Sequence, residues 1–146
     1  MPRLIRFYVK TAFGWLVVAI ALKAVALSAW GASLPALTPV SWHAFFVGWL
    51  TQLIFGIAHW MLPTIVGAPK ARLRGNERLI WAVYVLLNVG LLVRAIAEPM
   101  VTMELGGMFW RWLLVASAWL QWVAVVFFVI NSWARVRPPI KRGQRG

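Results

Sequence analysis

The candidate functional residues of this sequence are a lysine, a histidine and two arginines inside or at the ends of its apolar stretches, namely Lys23, His43, Arg94 and Arg111. Ionisable groups inside a bilayer are costly, so each of them marks a candidate functional site. A neutral imidazole binds a metal through one ring nitrogen, whereas Lys and Arg pair with carboxylates. Together these residue types suit an anionic cofactor that carries a metal at one end and carboxylates at the other.

The elements that position these residues are four apolar stretches, each long enough to cross about 30 Å of hydrocarbon at 1.5 Å per residue. Of the 146 residues, 62% are hydrophobic, and the mean hydropathy is +0.78, which excludes a soluble single-core domain. The predicted fold class is all-α, a four-helix transmembrane bundle with spans at about 7–29, 42–62, 79–97 and 109–133. We assign 1–134 to the membrane domain and 135–146 to a basic cytoplasmic tail.

The loops predict the orientation, because short segments rich in Lys and Arg stay cytoplasmic. All Lys and Arg except Lys23, Arg94 and Arg111 lie before span one or in its first turn, between spans two and three, or after span four. The loops at 31–41 and 98–107 carry neither residue type. Both termini are therefore predicted to be cytoplasmic. Topology and attraction to anionic lipid explain most of the net charge of +12, so no nucleic acid partner is expected.

This orientation brings the four candidate residues to one level near the outer surface, and haem fits the chemistry of that level. His43 is the expected axial ligand of the iron, while Lys23, Arg94 and Arg111 offset the propionates. The sequence has no Cys, which excludes covalent c-type attachment and iron–sulfur clusters. The expected cofactor is therefore haem b.

Each candidate residue also has a simpler interpretation. The three cations snorkel to the interface or pair with Glu98 and Glu104, and His43 lies at the interface as a cap. A quinone or an anionic lipid head group would also suit the cations, although neither of these needs His43 as a ligand.

A second histidine, His59, lies sixteen residues after His43, about 24 Å further along the same helix and about 160° around it. One haem therefore cannot use both histidines of one chain. Gln52 and His59 share a helix face, which permits a proton or quinone site near the inner side. The alternative is an inner-interface histidine beside Trp60.

Span two resembles the second helix of the catalytic subunit of haem-copper oxidases and nitric oxide reductases. A histidine opens the run WHAFFVGWLTQLIFG, small residues follow, and Met61, Leu62 and Pro63 close it before a cytoplasmic loop. In that family, the helix-two histidine ligates the low-spin haem near the outer face, with the propionates pointing outward. The matching residue is His43. The resemblance covers residues 1–133, the equivalent of the family's first four helices.

The resemblance also implies what this sequence does not contain. In the family, the other low-spin ligand and the ligands of copper and high-spin haem come from helices beyond the fourth, so reduction of oxygen or nitric oxide by this chain alone is not expected. Three arrangements remain open for one ligand per chain. Two copies share one iron through their His43 residues in a homodimer, a partner membrane subunit supplies the second ligand, or a five-coordinate iron binds a small gas.

The leading hypothesis is a small b-type cytochrome of a bacterial or archaeal cytoplasmic membrane that passes electrons between quinol and an outer-face electron carrier. The alternatives are a non-catalytic accessory or assembly subunit of a respiratory membrane complex, and a gas- or quinone-binding module. Phosphate-binding Gly-rich loops, HExxH and nucleophile-elbow motifs do not occur in the sequence. Hydrolysis and phosphoryl transfer are therefore not expected.

Overall fold

Four long helices make up the computed structural model, which describes residues 2–65, 69, 73–105 and 107–136. They are α1 (Arg3–Leu27), α2 (Leu37–Met61), α3 (Glu77–Thr102) and α4 (Met108–Trp133), and no strand occurs in the described residues. A short 3₁₀ helix, Ala29–Ser33, follows α1. Each long helix is long and apolar enough to cross a membrane. The predicted fold class is thus confirmed, and the chain is a multi-pass membrane protein, while the side on which its termini lie stays a prediction.

The helices extend beyond the apolar runs from which they were predicted. Helix α2 begins at Leu37, five residues before the predicted start, and α3 continues through Pro99 to Thr102 instead of ending at Ala97. The hydroxyl of Thr102 donates to the carbonyl of Glu98 at 2.7 Å. Hydropathy marks only the part of a helix that meets hydrocarbon, whereas backbone hydrogen bonding continues into the interface. Glu98 therefore lies in a helix and not in the predicted outer loop.

The bundle consists of two helical hairpins, α1 with α2 and α3 with α4. Three hydrogen bonds tie α1 to α3: Tyr8 to the Ile80 carbonyl at 2.9 Å, Thr11 to Tyr84 at 2.7 Å, and Trp15 Nε1 to Asn88 Oδ1 at 3.0 Å. Such bonds contribute about 0.6–2 kcal/mol each between membrane helices. Phe55 of α2 stacks on Phe128 of α4 with ring centroids 3.8 Å apart.

A cluster of buried apolar residues lies in the half of the bundle that contains the N-terminus of α1. The buried apolar residues there are Leu4, Tyr8, Ile80, Val83, Leu87, Ala124 and Phe128. Most other large apolar side chains face outward, as expected for helices surrounded by lipid.

A π-helical stretch interrupts α2 between Ala44 and Thr51. Within it, the hydroxyl of Thr51 donates to the carbonyl of Phe46, five residues earlier, at 2.8 Å. π-helical turns are rare and frequently lie at functional sites. The stretch begins directly after His43, so it sets the angle between His43 and the rest of α2.

Gly48, inside this π-helical stretch, allows α1 and α2 to approach closely. A Cβ atom at this position would lie 2.6 Å from Cγ of Trp15 and 2.8 Å from Cδ2 of Leu91. We expect Gly48→Ala to cost about 1–3 kcal/mol through overpacking. Thermal unfolding of the protein in detergent should therefore shift down by roughly 5 °C.

The matched control for this prediction is Gly14→Ala on α1, where an added Cβ meets no atom within 4 Å. This variant should be neutral or slightly more stable, because Ala favours helix over Gly by about 0.5–1 kcal/mol. Equal melting temperatures for the two variants would contradict the close approach at Gly48.

Candidate functional site

The candidate site is a cluster of three side chains, His43, Arg94 and Glu98, which we name the His43 cluster. His43 lies in the first part of α2, and the other two residues lie one turn apart near the end of α3. Nη1 of Arg94 is 2.8 Å from Nε2 of His43 and 3.9 Å from Oε1 of Glu98. The structure thus brings His43 and Arg94 together, as expected for two residues that were predicted to lie at the same depth in the membrane.

The hydrogen bonds of His43 define which ring nitrogen carries the proton. A guanidinium only donates, so Nε2 of His43 must accept from Arg94. In the neutral imidazole the proton then lies on Nδ1, which is 2.9 Å from the Pro39 carbonyl and 3.2 Å from Oε2 of Glu98. A ligating histidine is typically held in this way, with one N–H donating to a carbonyl or carboxylate and the other nitrogen directed to the metal.

Arg94 and Glu98 are largely shielded from solvent, with side chains 18% and 14% exposed. Nε of Arg94 is buried and has no hydrogen-bond partner among the described residues. A guanidinium with an unused donor in a low-dielectric setting favours an additional acceptor, and an anionic one most strongly.

The space beside the His43 cluster is small. The recess there, between α1, α2 and α3, is lined in part by Trp15, Val40 and Leu91, and it has no room for a water molecule. Sites for small molecules usually measure about 300–1,000 Å³. The polar atoms of the cluster have the chemistry to hold haem, whereas the interior of the bundle in this arrangement does not have room for the haem ring.

Lys23 and Arg111 do not join the His43 cluster in the structure. Nζ of Lys23 lies 5.1 Å from the centre of the Trp42 ring, a cation–π contact of about 0.5–1 kcal/mol. Arg111 is exposed in the first turn of α4, and it forms no ion pair with any residue in the described part of the chain. Their role as propionate partners stays a prediction.

A second polar centre surrounds Arg135 at the opposite end of the bundle; the sequence indicates His59 as a candidate there but gives no role to Arg135. Arg135 is only 2% exposed, and its Nη1 donates to Nδ1 of His59 at 3.3 Å. It also donates to four backbone carbonyls, those of His59, Leu62, Pro63 and Arg74. We name this set of contacts the Arg135 clamp.

The Arg135 clamp satisfies carbonyls at the end of α2, which have no partner within the helix. Burial and the nearby charge of Arg74 lower the pKa of Arg135 from its usual range. The sequence pattern places Arg135 in the basic tail. Its position directly after an apolar run is the only sequence feature that indicates its burial. The remainder of that tail, residues 137–146, lies outside the described residues.

Gln52, the predicted companion of His59, is 1% exposed, and its Nε2 has no partner within the part of the chain that the structure describes. A cavity of about 330 Å³ lies beside His59, and Gln52 is not among the residues that line it. The structure therefore does not place Gln52 and His59 in a single site.

The class of protein that the fold defines is a four-helix membrane protein with one polar centre at each end. Comparison with protein-family models, with curated proteins and with solved structures found no match. No group of three or more His, Cys, Asp or Glu side chains that could hold a metal ion occurs within the described ranges. The function must therefore be argued from the geometry of the two centres.

Proposed function

We propose that the chain is a small b-type membrane cytochrome that binds haem through His43 and serves in electron transfer. The observation that carries this proposal is the hydrogen bonding of His43. Its Nδ1 faces a carbonyl and a carboxylate, and its Nε2 carries no proton and accepts a hydrogen bond. A histidine held in this tautomer is prepared to bind a metal through Nε2. The resemblance of span two to the oxidase helix supports the same residue.

Arg94 is the second residue of the proposed site. It occupies Nε2 of His43 in the structure, so it must leave that nitrogen before iron can bind there. Its unused Nε then gives it the capacity to pair with a propionate, which offsets part of the cost of burying a carboxylate. Lys23 and Arg111, at the same membrane level, are the further candidate propionate partners.

The small recess at the His43 cluster determines where the haem ring lies in this proposal. Because that recess has no room for it, a haem held by His43 would have to be accommodated outside the four helices as they are arranged here. The side chain of His43 is 31% exposed, so it is accessible from outside the bundle. In a homodimer, His43 of a second copy of the chain would supply the other ligand; a partner membrane subunit would be the alternative source of that ligand.

The proposal retains the predicted orientation, with both termini in the cytoplasm and the His43 cluster near the outer face of a bacterial or archaeal cytoplasmic membrane. Haem, when bound, supplies reversible one-electron chemistry. The residues of the chain would hold the iron, offset the propionate charge and exclude water. At that position, the protein would pass electrons between quinol and an outer-face electron carrier.

One observation favours a second candidate function, a non-catalytic accessory or assembly subunit of a respiratory membrane complex. The His43 cluster is closed, and the contacts of His43 with Arg94 and Glu98 join the first part of α2 to the end of α3. Such a polar contact between two membrane helices stabilises a bundle without any cofactor. In this case His43 and Arg94 are structural residues.

An optical spectrum of the detergent-purified chain, expressed with a haem precursor, separates the two functions. The cytochrome proposal predicts a Soret band that shifts on reduction with dithionite, with α and β bands in the reduced form. A colourless, monodisperse protein obtained from cells with sufficient haem would overturn it and leave the accessory subunit.

A further inference from the structure

A second site is indicated at the end of the bundle opposite the His43 cluster, where a cavity of about 330 Å³ opens beside His59. We name it the His59 cavity; its lining residues are Pro2, Leu4, Ile5, His59, Thr64, Leu73, Arg74, Gly75 and Glu77. We propose that this cavity binds the head group of a membrane-soluble quinone, with a quinone carbonyl accepting a hydrogen bond from Nε2 of His59. The site uses none of the residues proposed for haem.

The Arg135 clamp fixes the proton of His59 on the nitrogen that is free to bind a ligand. Nη1 of Arg135 lies 3.3 Å from Nδ1 of His59, and a guanidinium can only donate, so Nδ1 must accept. The proton of the neutral ring is then on Nε2. His59 is 5% exposed, and the hydrogen bonds of its ring among the residues that the structure describes use only Nδ1. The cavity wall thus contains an N–H donor that is available to an acceptor in the cavity.

The charges around the cavity favour a neutral ligand. Arg135 lies directly behind His59, so a protonated imidazole would place two cations in contact. Arg74 and Glu77, both in the wall, have opposite signs. An anion would meet Glu77, and a cation would meet Arg74 and Arg135. The cavity is therefore suited to an uncharged molecule that accepts hydrogen bonds.

The shape and the remaining wall match a quinone head group better than a water-soluble metabolite. Leu4, Ile5 and Leu73 supply apolar surface, and Thr64 supplies a hydroxyl for a second polar contact. The volume lies within the usual range of small-molecule sites. The cavity lies where α2 ends, near the boundary of a membrane-spanning helix, which is the depth at which a lipid-soluble ligand presents a polar head group.

The test is photolabelling of the full chain in detergent with an azido-ubiquinone, with competition by ubiquinone-1 and peptide mapping of the labelled site. We expect labelling in the peptides that contain Leu73 or His59. His59→Phe, which removes the donor, should weaken competition by ubiquinone-1 about tenfold, the factor that corresponds to about 1.4 kcal/mol. His59→Gln, which retains an N–H donor, should weaken it less.

Two further variants in the photolabelling test block the cavity without changing His59, or change the other end of the bundle. Leu73→Trp places a larger side chain in the cavity wall, changes no residue of the Arg135 clamp and should remove competed labelling. His43→Phe, at the other end of the bundle, should leave it unchanged, so the quinone site and the haem site can fail independently. Labelling that neither His59→Phe nor Leu73→Trp reduces, or that ubiquinone-1 does not compete, would overturn the proposal.

Discussion

Replacing His43 with alanine should abolish the Soret band of the purified protein while the chain still inserts and remains monodisperse in detergent. His43 is the proposed iron ligand, and its loss removes the only nitrogen donor that the proposed site provides from each chain. The polar contacts to α3 that are lost with it, to Arg94 and to Glu98, are worth about 0.6–2 kcal/mol each, which is too little to unfold a four-helix bundle. Absorbance at the Soret maximum relative to protein concentration is the measurement.

The matched variant is His59→Ala, which removes the other histidine, in the same helix. Its Soret band should remain, because His59 lies at the opposite end of α2 beside Arg135. If His59→Ala lost the band and His43→Ala kept it, the ligand assignment would be wrong. If both variants kept the band, neither histidine would be essential for haem binding.

Removing the Arg135 side chain should have the largest effect on stability of any single substitution near the helix ends. Arg135→Ala leaves the carbonyls of Leu62 and Pro63, among others, without the buried donor that satisfies them. Hydrogen bonds to a charged group contribute about 1.5–3 kcal/mol each, and they are not additive, so we expect a loss of about 3 kcal/mol. Thermal unfolding in detergent should shift down by roughly 10 °C.

Two variants serve as controls for this effect. Arg135→Lys retains the charge but not the planar fork of five donors, so it should restore only part of the stability. Arg111→Ala removes an exposed arginine at the start of α4 and should change the melting temperature little. A similar small change for Arg135→Ala would show that the clamp does not hold α2 to the C-terminal end of α4.

The four-helix fold could be predicted from sequence because a bilayer permits few alternatives. Backbone groups in hydrocarbon must be satisfied within each helix, so an apolar run of sufficient length predicts a span directly. The common level of His43 and Arg94 followed from the same reasoning, since the rise per residue and the alternating direction of the spans set the depth of each residue. The structure joins these two residues by a hydrogen bond of 2.8 Å.

The features that the sequence did not predict lie at the ends of the helices. Glu98 was assigned to a loop because the apolar run ends at Ala97, yet α3 continues and places its carboxylate beside His43. Arg135 was assigned to the tail because many basic residues follow it, although its guanidinium is buried against the end of α2. In both cases the position depends on tertiary contacts with another helix, which hydropathy and charge patterns do not contain.

The measurement that tests the central claim most directly is the molar ratio of haem to chain in the purified protein. It combines a pyridine haemochrome assay with amino acid analysis and a determination of the mass of the detergent-solubilised complex. A homodimer that shares one iron through two His43 residues predicts half a haem per chain in a complex of two chains, and its loss in His43→Ala. A colourless protein after haem supplementation, or a haem content unaffected by His43→Ala, would contradict the proposal that this chain is a His43-ligated cytochrome.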